Sequence, residues 1–188
     1  MPRQELPTTS FALLGLLTFG DDLTGYELKQ RADSTLRFYW VSPAMSQVYT
    51  ELARLESHGL VKARDAAPAK AGRSSRYRIT DSGREALETW LAEAPAEFPT
   101  LKHPVALRLL IGHLIAPEAT EKLLRGYLDQ LAEQREELLR VRESLRGNDA
   151  VGESFRYPSL VADWGLEYYD SERLITEKLL VRLQEEGQ

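Results

Sequence analysis

The sequence predicts a mainly α-helical chain, with an N-terminal winged helix-turn-helix carrying a two-stranded wing and a C-terminal antiparallel helical dimerisation domain. Three observations predict it. Residues 42–58 form an amphipathic helix between a capping serine and a glycine stop, residues 60–65 and 76–80 read as short strands around a cationic loop, and residues 117–146 and 159–185 repeat apolar side chains at steps of three and four.

Residues 8–19 are apolar nearly all round (Phe11, Leu13, Leu14, Leu16, Leu17), as a helix enclosed by others must be. The run 11–19 is too short to span a bilayer and lacks the small-x-small cleavage pattern of a secretory leader. After Gly20-Asp21-Asp22, Thr24 and Glu27 have the spacing of a capping box, starting a second helix near Gly25 with Leu28, Ala32 and Leu36 inward. Ser42-Pro43 then reads as the N-cap and first-turn proline of a third helix. On a helical wheel Met45, Val48, Leu52 and Leu55 share one side; Pro43, Ser46, Gln47, Thr50, Arg54 and Ser57 share the other, with Tyr49 at the border. That outward face is small and polar with a single cation, which suits a surface that enters a groove and hydrogen-bonds there; a merely solvated face has the same composition.

His58-Gly59 stops the helix, and Leu60-Val61-Lys62-Ala63-Arg64 begins a strand. The loop 66–75, with Pro68 and Gly72, has too few bulky residues for a core, so it reads as an exposed hairpin loop. It offers Lys70, Arg73, Ser74 and the adjoining Arg76 to phosphates or a minor groove, with an ordinary solvated loop as the alternative. Ser82 and Glu85 have the spacing of a second capping box, for a helix 84–94 that buries Leu87, Trp90 and Leu91. Pro95 and Pro99 break the pattern and divide the chain into a DNA-binding domain, 1–98, and a dimerisation and effector domain, 99–188.

A short apolar helix over 105–115 precedes the two long ones. The first long helix aligns Leu124, Tyr127, Leu131, Gln134, Leu138, Val141 and Leu145; the second aligns Val161, Trp164, Tyr168, Ile175, Leu179 and Leu183. Helices joined by so short a break pack antiparallel, and the apolar face left over calls for a second copy. The expected homodimer interface uses Leu124, Tyr127, Leu131, Leu138, Val161, Ile175 and Leu179.

The net charge of −5 over 188 residues hides a division. Residues 1–83 hold 11 Lys+Arg against 9 Asp+Glu, whereas residues 84–188 hold 13 against 20. Six cations and one acid fall within residues 62–78, and salt screens exposed charges over roughly 8–10 Å, so a local basic edge can meet phosphates despite an acidic tail. With no cysteine the chain has neither disulfides nor thiolate metal sites, and a cytoplasmic location is expected. His58, His103 and His113 share no metal-ligand spacing, and no phosphate loop, nucleophile elbow or H-E-x-x-H run is present, so no enzyme activity, metal or cofactor is expected.

The first 93 or so residues resemble the PadR family of bacterial transcriptional regulators. The resemblance runs through Leu14-Gly15-Leu16-Leu17, Gly25-Tyr26-Glu27-Leu28, Ser46-Gln47-Val48-Tyr49, Arg54-Leu55-Glu56, Gly59-Leu60-Val61, the basic stretch ending in Tyr77-Arg78-Ile79-Thr80, and Gly83-Arg84-Glu85-Ala86-Leu87 before Trp90-Leu91. The helical remainder is similar to the longer-tailed members, and Thr50 stands where the family often has proline. The resemblance implies a dimeric, ligand-responsive repressor of a near-palindromic operator. In that setting Ser46, Gln47 and Thr50 are expected at base edges, Ser42 at the start of the reading helix, Tyr26 and Tyr49 at phosphates, and Arg54 on the backbone, with Lys70, Arg73, Ser74 and Arg76 on the flanking duplex. Phe38, Tyr39, Trp40, Trp90, Trp164 and Tyr168 are candidates for a small aromatic effector's pocket, or else packing residues. A winged-helix adaptor that binds protein instead of DNA is the alternative, separated by a DNA shift assay.

Overall fold

The computed structural model of the chain describes residues 6–64, 75–96, 98–146 and 155–186. It contains two compact units, Met1–Glu97 and Phe98–Gln188. In the first, α1 (Thr8–Leu16), α2 (Gly25–Thr35), α3 (Met45–Ser57) and α4 (Asp81–Glu93) surround a core in which Leu13, Leu14, Leu28, Val48, Leu52 and Leu55 are fully buried. Arg31 of α2 donates to Leu16 O at 3.1 Å and Phe19 O at 2.7 Å, satisfying carbonyls that the end of α1 leaves open. The expected box at α2 forms on both sides: Glu27 N–H donates to Thr24 Oγ1 at 3.1 Å, and Thr24 N–H donates to Glu27 Oε2 at 2.8 Å.

The start of α3 differs from expectation. Ala44 occupies the N-cap without a side-chain bond, Pro43 is buried, and Ser42 lies before the helix. Its hydroxyl donates to Asp33 Oδ1 at 2.6 Å, a hydrogen bond strengthened by the carboxylate charge. Ser42 therefore ties α3's approach to α2 and is not part of the helix. At the other end Gly59 takes φ +70°, and Leu60 N–H and Gly59 N–H donate to Leu55 O and Glu56 O, closing the helix as the glycine stop predicted.

Among the described residues the strands number three. β2 (Val61–Arg64) and β3 (Arg76–Ile79) form the expected antiparallel pair, and β1 (Leu23–Thr24) adds to the far side of β3 through Leu23↔Tyr77 and Thr24↔Arg76. A two-residue strand leaves no alternation to read, so β1 was invisible as a pattern. At α4 the cap is Thr80 rather than Ser82: its Oγ1 accepts from Gly83 N–H at 3.0 Å and donates to Gly59 O at 2.8 Å. Leu87 is buried and Trp90 stacks on Phe11 at 4.8 Å, but Leu91 is exposed, since the helix turns only one side inward.

The second unit holds α5 (Pro104–Leu110), a 3-10 turn (Gly112–Leu114), α6 (Pro117–Arg146) and α7 (Arg156–Glu186). The long helices pair antiparallel, with Arg135 bidentate on Asp170 at 2.9 and 3.0 Å and Arg142 on Asp163 at 2.7 Å. Leu124, Leu131 and Leu138 are buried inside the unit, Leu138 against Gly165, so the α6 seam is consumed by its own hairpin. This corrects the expectation that these three face a second copy. Tyr127 likewise turns inward, donating to Glu172 Oε2 at 3.0 Å beside His103, whose Nδ1 accepts from Ala106 N–H at 3.1 Å and caps α5. Burial and the Glu172 carboxylate hold the Tyr127 phenol far above the usual tyrosine range. Val161 and Leu179 are half-buried and Ile175 is exposed. Among the described residues no helix is long and apolar enough to cross a membrane.

Candidate nucleic-acid interface

Apart from Pro43, which is buried ahead of the helix, the outward face of α3 is what the wheel indicates. Val48, Leu52 and Leu55 are fully buried on one side, while Ser46, Gln47, Tyr49, Thr50 and Arg54 are exposed on the other. Thr50 Oγ1 donates to Ser46 O at 2.9 Å, so its hydroxyl keeps acceptor capacity for an outside donor. Tyr49 is half exposed, with its ring over Gly25 at the start of α2. Tyr26, on the first turn of α2, is exposed and its phenol oxygen accepts from Gln30 Nε2 at 3.3 Å. Arg54 lies 3.2 Å from Glu51, a buried acid on the inner side of the same helix.

Strand register builds the second part of the site. Lys62 pairs with Arg78 and Arg64 with Arg76, so four cations occupy one face of the wing base while Val61, Ala63, Tyr77 and Ile79 occupy the other. Like charges directly opposite one another destabilise a sheet, and two acids relieve them. Asp22 Oδ1 accepts from Arg78 Nε at 2.7 Å, with Arg64 at 4.0 Å; Arg76 donates to Asp22 O at 2.6 Å and reaches Glu27 at 3.2 Å. The hydrogen bond from Arg78 holds the Asp22 carboxyl below the usual range, and the Thr24 amide does the same for Glu27. Arg76, expected to grip flanking DNA, is thus tied inward at the junction of β1, β3 and α2. Lys70, Arg73 and Ser74 lie outside the described residues.

Asp22, Glu51, Lys62, Arg64 and Arg78 were not singled out from sequence. The alternation Val61-Lys62-Ala63-Arg64 against Arg76-Tyr77-Arg78-Ile79 carried the signal for the three cations, and a glutamate between Val48 and Leu55 on the apolar stripe carried it for Glu51. No local pattern marks Asp22.

A profile of the transcriptional regulator PadR-like family matches residues 13–89, from α1 through the wing into α4. The first unit is thus similar to the PadR-like family. A second profile, the virulence activator alpha C-terminal domain, matches residues 101–183. The negative transcriptional regulator PadR of Bacillus subtilis is 28% identical over 120 residues, covering 64% of this chain and 65% of the relative. A probable transcriptional regulator of Mycobacterium tuberculosis is 33% identical over 70 residues, covering 37% and 36%. The alignments thus span less than two thirds of either relative's length. Among solved structures, Bacillus subtilis PadR in complex with operator DNA superposes with a TM-score of 0.80 at 24% identity, covering 94% of this chain and 99% of that one. The same protein with p-coumaric acid gives 0.75 at 24%, covering 95% and 99%. The Vibrio cholerae virulence activator AphA gives 0.67 at 21%, covering 93% and 97%. These likenesses establish a shared fold.

The candidate effector aromatics are distributed over both units. Phe38 is buried under the Arg37 guanidinium and Tyr39 and Trp40 are partly exposed in the first; Trp90 is committed to Phe11. In the second, Trp164 stacks on Tyr168 at 5.9 Å, both exposed. Among the described residues no cluster of three or more His, Asp or Glu has the arrangement to hold a metal ion.

Proposed function

We propose that this chain is a cytoplasmic, sequence-specific DNA-binding repressor that engages a near-palindromic operator as a homodimer and is released by a small aromatic effector. The observation that carries it is the joining, in one unit, of an exposed polar helix face (Ser46, Gln47, Thr50, Arg54) to a wing base with four cations on one side. Ser46, Gln47 and Thr50 meet base edges; Tyr26, Tyr49 and Arg54 meet phosphates; Lys62, Arg64, Arg78 and the loop residues Lys70 and Arg73 hold the duplex. Residues 1–98 are the DNA-binding domain and 99–188 the dimerisation and effector domain. The second copy packs on apolar side chains the hairpin leaves open, among them Leu160, Trp164, Ile175 and Val181. An aromatic effector is supported by the Bacillus subtilis relative solved with p-coumaric acid.

Fluorescence anisotropy with a duplex from the region upstream of the chain's own coding sequence, against a random duplex, tests the reading. Six to ten phosphate contacts lower affinity on the order of 10³- to 10⁵-fold between about 50 and 200 mM salt. Gln47→Ala narrows the gap between the two duplexes, and Ile175→Asp shifts the sedimentation coefficient to that of a monomer. Equal affinity for both duplexes, or indifference to salt, refutes it.

A further inference from the structure

Glu51 is only 6% exposed, on a helix whose neighbouring inward residues Val48, Leu52 and Leu55 are aliphatic. A carboxylate in that position loses its charge or turns outward unless both oxygens are engaged. Here they are. Oε2 accepts the hydroxyl of Ser10, a fully buried residue of α1, and Arg54 Nη1 lies 3.2 Å from Oε1 and 3.2 Å from Oε2. Among the described residues only Nη1 of Arg54 is engaged, and the side chain is 41% exposed, which leaves its other donors open to an outside acceptor.

We propose that Glu51 is a positioning residue for DNA binding: anchored to α1 through Ser10, it fixes the Arg54 guanidinium on the outer edge of α3 so that it meets one backbone phosphate. This rests on the DNA-binding reading above. A free arginine loses rotamer freedom on capturing a phosphate; one already held by a buried carboxylate has lost it beforehand. The carboxylate also weakens Arg54's attraction for a phosphate. The ordering effect prevails because Glu51 is buried on the protein side of the guanidinium and the phosphate arrives from the other.

Glu51→Gln separates these effects. The amide oxygen still accepts from Ser10, while its NH₂ group cannot hold a guanidinium. Binding to a random-sequence duplex is expected to weaken roughly three- to tenfold and the salt slope to fall by about one, with the preference for the upstream duplex unchanged. Arg54→Ala made in the Glu51→Gln chain then adds nothing further. Arg54→Lys, at an exposed site, keeps the charge but not the forked geometry and loses as much as Arg54→Ala. In the DNA-free protein, side-chain NMR shows restricted guanidinium rotation at Arg54 that Glu51→Gln abolishes. Unchanged or tighter binding by Glu51→Gln, additive losses, wild-type binding by Arg54→Lys, or equal guanidinium rotation in both proteins overturns the positioning role. A wild-type chain that binds no duplex overturns the DNA-binding reading itself.

Discussion

The Tyr49 ring lies across Gly25, where a β-carbon would stand 2.6 Å from Tyr49 Cε1 and 2.9 Å from Cζ. The first residue of α2 and the border residue of α3 thus share one small space, and only a hydrogen at position 25 lets the two helices seat the phenol there.

Gly25→Ala is therefore expected to act on binding more than on folding. The obstacle is the far end of a mobile side chain and Gly25 is the first residue of α2, where helix propensity counts for little, so the melting temperature stays within a few degrees of wild type. The displaced phenol lowers affinity for duplex DNA about threefold or more. Thermal melts and anisotropy on the same preparation check both, and the binding loss is absent when Tyr49 is already alanine.

Gly83→Ala gives the opposite outcome. A β-carbon there would overlap the Leu60 carbonyl oxygen, backbone that is already committed to the Thr80 amide. Neither side can yield without parting the start of α4 from the strand edge, and the expected loss is about 2–4 kcal/mol in urea unfolding.

Asp22→Asn removes the acid shared by Arg78 and Arg64. The exposed cations then act without their counter-charge. Random-sequence DNA is bound a few-fold more tightly, with a steeper salt slope, and discrimination for the upstream duplex falls. Weaker binding at low salt would mean that Asp22 serves DNA binding by ordering the wing.

The acid limb of the stability curve follows from Asp170. The hydrogen bonds from Arg135 hold its carboxyl below the usual range. A lowered folded-state pKa contributes stability that is present above the unfolded value of about 3.9 and is lost as pH falls through the folded value. Asp170→Asn is expected to lower the urea midpoint at neutral pH and to shrink the further drop between about pH 4 and pH 2. An undiminished drop would place the acid sensitivity elsewhere.

Helix identity was legible wherever periodicity was long. The bounds of α6 coincide with the expected 117–146, and the capping box at Thr24–Glu27 was readable because its two reciprocal bonds join residues only three apart. What escaped were choices between partners distant in sequence. Ser42 bonds a carboxylate nine residues earlier while the helix starts three residues later, and nothing in the local pattern announces either. Leu124, Leu131 and Leu138 show the same limit: an apolar seam announces burial but does not say whether its own hairpin or a second copy covers it. Arg76 reads as one more basic residue until the register places it between Asp22 and Glu27.

The two ion pairs along the hairpin have a mechanical meaning. A slide of α6 past α7 by one turn would break Arg135–Asp170 and Arg142–Asp163 together and carry Leu138 off Gly165, so the pair moves as one rod. A 30-residue helix is about 45 Å long, and a pivot of about 5° at one end sweeps the other through about 4 Å, comparable to the rise of a DNA base pair. Such a rod turns a small movement at one end into a displacement of base-pair size at the other.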